Sequence, residues 1–335
     1  MSTRIFKERV INGENKKVLA ISYSQMSTFL QCKARWYKYY LCGQGKSDST
    51  ESTELGTQIH AAIEEYCNKL HDGYEWSLGE VVDLVEFNLD CRKIKFKDDD
   101  DVIVQQHLDM AKSLFNGEQG LGKLLKRCEV VGQEIEFHLP FKLPFDVCFD
   151  GEIYNEVEIN GFIDLLLKDK STGELIVVDH KTSKKVFVDD KLYNDYQFPI
   201  YSLVILSMYG RLPSECYYYF TRFDELKQAP PLVYDDSDSK VVKYFVRGKN
   251  KGKPKYVIKS VNMVEQELTN IFRQMYSPKS VKDYTYDKSN LCSWCPFGLY
   301  EENTCQNQMN PPYTRKDKPI PKLPKTPKKR VNTIK

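Results

Sequence analysis

The chain predicts a mixed α/β fold, a central mixed sheet flanked by helices with a helical section N-terminal to it, and three observations carry this. Between about Glu54 and Lys126 apolar residues recur at helical spacing, as in Leu55, Ile59, Ala62, Ile63 and Tyr66. Two short apolar runs follow, Gly161-Phe-Ile-Asp164-Leu-Leu-Leu and Leu175-Ile-Val-Val-Asp179-His-Lys181, joined by a turn at Ser171 to Gly173, and they read as paired strands. The apolar stretch from Tyr193 to Tyr209 then leads to another strand at Glu215 to Thr221, the strand–helix–strand order of an α/β sheet.

The elements fall in order. Residues 1–19 read as a flexible polar lead-in, followed by a helix from Ser24 to Leu41 and a Ser/Thr/Gly-rich loop from Gly43 to Thr53. Helices are expected over Glu54 to Leu70, Leu78 to Lys95 and Asp101 to Lys126, the last interrupted near Gly117 to Gly122. A β-rich section starts at Glu129, with further strand-like segments at Leu232 to Tyr234 and Val241 to Val246, and a helix over Val261 to Tyr276. A single domain over 20–310 results: 20–127 mainly helical, 128–260 rich in sheet, and 261–310 holding the last helix and a cysteine cluster. The tail 311–335 is rich in Pro and Lys, has few apolar anchors, and reads as disordered.

The 335 residues are 41% hydrophobic and 13% aromatic, ample for a core, while the net charge is only +2. A nucleic-acid partner must therefore be met by local concentrations of charge. One is Cys32 to Lys46, where Lys33, Arg35, Lys38 and Lys46 interleave with Trp36, Tyr37, Tyr39 and Tyr40, although an amphipathic helix accounts for many of those rings. The polar start and the shortness of the apolar run near Ile200 to Met208 predict no export signal and no membrane span. Ten cysteines, six of them scattered singly, fit reduced thiols and an intracellular location, in cytoplasm or nucleoid.

The chemistry concentrates on the hairpin. Strand periodicity puts Asp179 and Lys181 on one face, and an Asp on the neighbouring strand, Asp164, can lie close enough for two carboxylates to share a divalent metal. A lysine beside such a metal makes a site for activating water against a phosphodiester. By itself an Asp-x-Lys is more often an incidental ion pair. Other pieces change the balance: Gly56 and His60 are one helical turn apart, as are Gln197 and Tyr201, a pair able to hydrogen-bond a nucleic-acid backbone. Cys292 and Cys295 with Cys305 make a sulfur-donor set that needs a fourth ligand, for which Cys32 is the candidate.

The ordered set Gly56-x-x-x-His60, Gly161-x-x-Asp164, Asp179-x-Lys181 and Gln197-x-x-x-Tyr201 resembles the PD-(D/E)XK nuclease superfamily, and more narrowly its RecB-type branch. The resemblance implies a restriction-endonuclease-like core and a metal-dependent DNA nuclease, most simply an exonuclease of recombination, repair or DNA processing. Asp164, Asp179 and His60 would ligate Mg²⁺ or Mn²⁺ with the backbone carbonyl of His180, Lys181 would position or activate water, and Glu134 would be a further acidic residue. One subgroup, which includes the AddB nuclease and a CRISPR-associated exonuclease, clamps the domain with a [4Fe-4S] cluster, implying that role for Cys32, Cys292, Cys295 and Cys305. The gap before Cys305 is longer than the usual spacing, and Zn²⁺ is the competing occupant. An endonuclease of the same fold and a noncatalytic DNA-binding subunit remain alternatives. No G-x-x-x-x-G-K-[ST] motif occurs, so any unwinding would come from a helicase or recombination partner.

Overall fold

The computed structural model describes residues 4–11, 13–44, 49–149, 151–277, 281–287, 289, 292, 295 and 297. The chain divides into two compact units: Phe6–Tyr23 with Ser47–Ser277, and Met1–Ile5 with Ser24–Lys46 and Pro278–Lys335. Among the described residues no helix is long and apolar enough to cross a membrane.

The larger unit begins with β1 (Phe6–Ile11) and β2 (Glu14–Ser22), an antiparallel hairpin paired from Phe6 opposite Leu19 to Ile11 opposite Glu14. The flexible lead-in expected over residues 1–19 is therefore corrected. Polar Glu14 to Lys17 stay exposed while Leu19, Ala20 and Ile21 are buried, so the segment's polar composition reflects an edge hairpin. The Asn12-Gly13 pair was the signal in the sequence, because two-residue hairpin loops favour Asn-Gly, and Gly13 takes the positive φ of 79° such a loop needs.

Four helices follow: α3 (Glu51–His71), α4 (Leu78–Asp90), α5 (Asp100–Asn116) and α6 (Gly120–Arg127). Two of them start at capping boxes, Thr50 with Thr53 and Ser77 with Glu80, which satisfy the first free N–H groups. The sheet strands are β3 (Cys128–Phe149), β4 (Glu152–Asp169), β5 (Leu175–Lys181), β6 (Glu215–Phe220) and β7 (Glu225–Ala229). They join the first hairpin in a seven-stranded mixed sheet of order β1-β2-β4-β5-β6-β7, with β3 paired along β4. Leu165 and Leu167 of β4, Ile176 and Val178 of β5, and Tyr219 of β6 form one core with the apolar faces of α3 to α6.

The segment expected as one helix over Tyr193 to Tyr209 is two, α7 (Asp189–Asn194) and α8 (Gln197–Tyr209). A separate two-stranded ribbon, β8 (Lys240–Tyr244) with β9 (Pro254–Ile258), precedes α9 (Val261–Tyr276). The strand expected at Leu232 to Tyr234 reduces to a single bridge between Val233 and Ser260.

In the smaller unit the helix expected over Ser24 to Leu41 breaks at Cys32. Helix α1 (Tyr23–Gln31), whose first residue belongs to the larger unit, ends there, and α2 (Lys33–Trp36) runs on into a π-helical turn, Tyr37–Leu41. Cys32 is extended at φ −162°, ψ 107°. The aromatics of this segment serve packing: Trp36 is fully buried, 5.5 Å from Phe29 and 5.8 Å from Tyr284 between centroids, and Tyr37 stacks on Tyr284 at 4.7 Å.

Candidate active site

A split in the sheet creates the site. On one edge of β4, β2 runs parallel as far as Ser22 opposite Asn160, while β5 runs antiparallel from Lys168 opposite Leu175 to Leu165 opposite Val178. The two neighbours converge on residues 161–164 of β4, where neither ladder continues. The backbone groups freed there are used by side chains. Asp164 replaces the next ladder bond by accepting the His180 N–H on Oδ2 at 2.7 Å.

Helix α3 brings His60 to this split. Its Nε2 lies 3.2 Å from the His180 carbonyl, an acceptor only, so Nε2 carries the proton and donates. Nδ1 then faces Glu134 Oε1 at 3.5 Å and Asp164 Oδ2 at 3.7 Å, donating towards them when the ring is protonated and offering its lone pair to a cation between them when it is neutral. Ligand atoms of His60, Glu134 and Asp164 all lie within 4.8 Å of one another, and all three residues are half-buried. One imidazole nitrogen with two carboxylates suits Mn²⁺ and, through the oxygens, Mg²⁺. A second bond from the far ring nitrogen to a carbonyl is the usual way a ligating histidine is oriented. Glu134 reaches the group from a strained backbone, at φ +42°, a region non-glycine residues rarely adopt.

The electrostatics agree with a crowded anionic site. Burial and the Asp179 charge push the Asp164 carboxyl up to about 7, against the opposing pull of His60, Lys181 and the His180 N–H. Burial works to lower the His60 imidazole, but the Glu134 bond and the charges of Asp164, Asp179 and Glu134 outweigh it, and the group ends above its ordinary value. Glu64, one turn past His60, is also raised, first by burial and then by the Glu134 charge. It was not singled out from sequence. Its i+4 spacing from His60 is a signal, but an ambiguous one on a helix rich in Glu.

Asp179 sits differently from expectation. It is 1% exposed and lies outside the His60–Glu134–Asp164 group. Its Oδ2 pairs with Lys181 Nζ at 2.5 Å, and its Oδ1 accepts from Gln197 Nε2 and from the Tyr201 hydroxyl at 3.4 Å. Gln197 Oε1 also accepts from Lys181 Nζ at 3.1 Å, and its Nε2 reaches Tyr201 Oη at 3.1 Å. Gln197 and Tyr201, 7% and 5% exposed, thus direct their polar atoms to Asp179, Lys181 and each other. These residues, expected to hold a nucleic-acid backbone, have their polar atoms hydrogen-bonded inside, as buried polar atoms are. The His180 carbonyl, expected in a metal shell, lies 3.2 Å from His60 Nε2 and accepts its hydrogen bond.

Two further supports reach the site. Gly161 lies directly opposite Phe137, and a methyl at 161 would come 3.0 Å from the Phe137 ring. That ring stands edge-on to Tyr201 at 6.0 Å, so the glycine makes room for the aromatic that backs the Asp179 partner. On the other side, buried His107 of α5 bonds Ile103 O through Nδ1 at 2.7 Å and Thr221 Oγ1 through Nε2 at 3.1 Å. Thr221 N–H donates to the Lys181 carbonyl at 3.0 Å, fixing the end of β5. Gly56, expected to admit a backbone, faces the Thr182 hydroxyl, 3.5 Å from where a Cβ would stand, so no close approach requires glycine.

The cysteines expected as cluster ligands belong to the smaller unit. Cys32, Cys292 and Cys295 are half-buried and free, and Ser289 N–H donates to Cys292 Sγ at 3.4 Å. Among the described residues they form no group of three with ligand atoms within 4.8 Å. Cys305 and the tail 311–335 lie outside the described residues.

None of the curated proteins matches the chain significantly. The solved structure of SSO0001 is similar at 13% identity over 84% of this chain and 86% of that one, with a TM-score of 0.28, too low to say anything of the site. The family comparison is decisive by its extent: the PD-(D/E)XK nuclease superfamily matches residues 20–299, a span holding His60, Glu134, Asp164, Asp179 and Lys181. With the mixed sheet splitting where those side chains meet, this chain belongs to the PD-(D/E)XK nuclease superfamily.

Proposed function

We propose that the protein is a Mg²⁺- or Mn²⁺-dependent DNA exonuclease. The observation that carries the reading is the donor group of His60, Glu134 and Asp164 beside a lysine held by Asp179 and Gln197. His60, Glu134 and Asp164 would hold the ion, which supplies a water of lowered pKa and a Lewis acid for a phosphoryl oxygen. The chain's own residues do the rest. Asp179 and Gln197 each engage Lys181 Nζ, and an ammonium has three donors, so one remains for a phosphate oxygen or the attacking water. Its charge is then fixed where negative charge grows in the transition state. Asp179 acts as the positioning carboxylate, itself oriented by Gln197 and Tyr201.

Attack at DNA ends is supported by the motif order, which resembles the RecB-type branch. A role in recombination, repair or processing, with a helicase as partner, rests on the same resemblance. Cys32, Cys292, Cys295 and Cys305 would hold a [4Fe-4S] cluster, with Zn²⁺ the alternative. Cys32 breaking the helix and the N–H donated to Cys292 Sγ support thiolate ligation. Absorbance and metal analysis of anaerobically purified protein decide between the two.

The test of activity is digestion of end-labelled DNA, comparing linear single strands, linear duplex and closed circles, for wild type, Asp164→Asn, Lys181→Met and Gln197→Ala. Loss of linear ends with circles intact is expected. The first two variants should be inactive and the third reduced about 10- to 100-fold, as for removal of a supporting partner. Cutting of circles would make the enzyme an endonuclease. No cleavage by folded, metal-replete protein would favour a noncatalytic DNA-binding subunit.

A further inference from the structure

The connection between α4 and α5, residues 91–99, is built to present a row of lysines. Exposure alternates along it: Lys93, Lys95 and Lys97 are exposed, whereas Arg92 and Phe96 are buried. The buried members anchor the loop. Arg92 closes its two ends by binding Asp100 at 3.0 and 3.4 Å, and its Nε donates to Leu89 O at 2.8 Å. Phe96 donates its N–H to Asp100 Oδ1 at 3.2 Å, and its ring joins the core of α3 to α6. A loop clasped in this way holds its outward side chains in fixed order.

Two contacts bring this row beside the candidate active site. Lys93 N–H donates to Glu54 Oε2 on α3, six residues before His60 and two before Gly56, which faces Thr182. Lys184, three residues after Lys181, places its Nζ over the Phe96 ring at 5.5 Å. Lys184 and Lys185 are exposed, so five lysines run from the end of β5 across the loop. Within the described residues the one ion pair among them is the loose 3.9 Å contact of Lys95 with Asp90. Asp98, Asp99 and Asp101, also exposed, bound the row at its far end and would repel a phosphate chain there.

We infer that Lys93, Lys95, Lys97, Lys184 and Lys185 form the track along which the DNA phosphate backbone approaches the site. The inference rests on the nuclease reading and adds the path of the substrate. A chain of net charge +2 must concentrate its positive charge where a polyanion binds, and this row of exposed lysines is concentrated and contiguous with the site.

The test compares wild type, the triple variant Lys93→Gln/Lys95→Gln/Lys97→Gln, and a control, Lys112→Gln/Lys227→Gln, altering lysines that already have acidic partners. Binding of a fluorescent single strand and of its duplex is measured by anisotropy over a salt series in Ca²⁺, and metal-dependent hydrolysis of bis(p-nitrophenyl) phosphate is measured in parallel. The triple variant should bind about tenfold more weakly, with a salt slope smaller by about 2, since each phosphate contact adds about 0.7 to 0.9. Its hydrolysis of the small diester should match wild type, because the metal and lysine groups are untouched. Wild-type affinity and slope in the triple variant, with DNA still cleaved, would overturn the track and leave the nuclease reading standing. Neither binding nor cleavage of DNA by wild type would overturn both.

Discussion

At the scale of single residues, function is visible as strain and as displaced titration. Glu134 holds a left-handed backbone at φ +42° to bring its carboxylate beside His60, at a cost on the order of 1 kcal/mol or more. Glu134→Gly should therefore raise the urea midpoint while abolishing Mn²⁺ binding, and a variant that loses both would show that the backbone is not strained. His107 offers a pH test remote from the metal group. Burial pushes its imidazole down to about 4, the Ile103 carbonyl opposing and the Arg222 and Arg92 charges adding. The unfolded imidazole titrates near 6.5, so between these values the unfolded chain binds more protons. This contribution is fully present above about pH 6.5 and is lost as pH falls towards 4, up to about 3 kcal/mol. Denaturant melts near pH 7 and pH 5 should differ less in His107→Gln than in wild type.

At the scale of elements, a glycine, an aromatic and a helix act as one support. Gly161 on β4 leaves space for Phe137 on β3, whose ring backs Tyr201 on α8, which in turn holds Asp179 on β5. Gly161→Ala should destabilise by about 1–3 kcal/mol through overpacking and lower activity by shifting Tyr201. Adding Phe137→Leu should restore stability more than activity, and thermal melts with DNA digestion of both variants separate the two effects. Gly56→Ala, facing ordinary contact space, should change neither.

At the scale of the whole molecule, the sequence revealed what depends on periodicity and order. Asp164, Asp179 and Lys181 were legible because strand alternation and a short turn fix them, and His60 because it lies within a recognisable helical pattern. The division of labour among them was not. Glu134 on β3 joins the donor group and Asp179 turns to Lys181 where β4 and β5 part beyond Leu165 and Val178, an arrangement of three strands that no single strand's pattern signals. Gln197 and Tyr201 share a helix face as expected, yet only burial of that face reveals that they serve Asp179. The first hairpin was signalled by Asn12-Gly13 but masked by the polar composition of an exposed edge.

The central claim is that His60, Glu134 and Asp164 hold a divalent ion needed to hydrolyse DNA. Mn²⁺ titration followed by electron paramagnetic resonance, with DNA digestion in the same samples, tests it most directly in wild type, His60→Ala, Glu134→Gln and Asp164→Asn. One site, weakened in every variant in step with lost cleavage, is the expected result. Undiminished Mn²⁺ binding and cleavage in the Glu134 and His60 variants would contradict it and return the metal to Asp164 and Asp179.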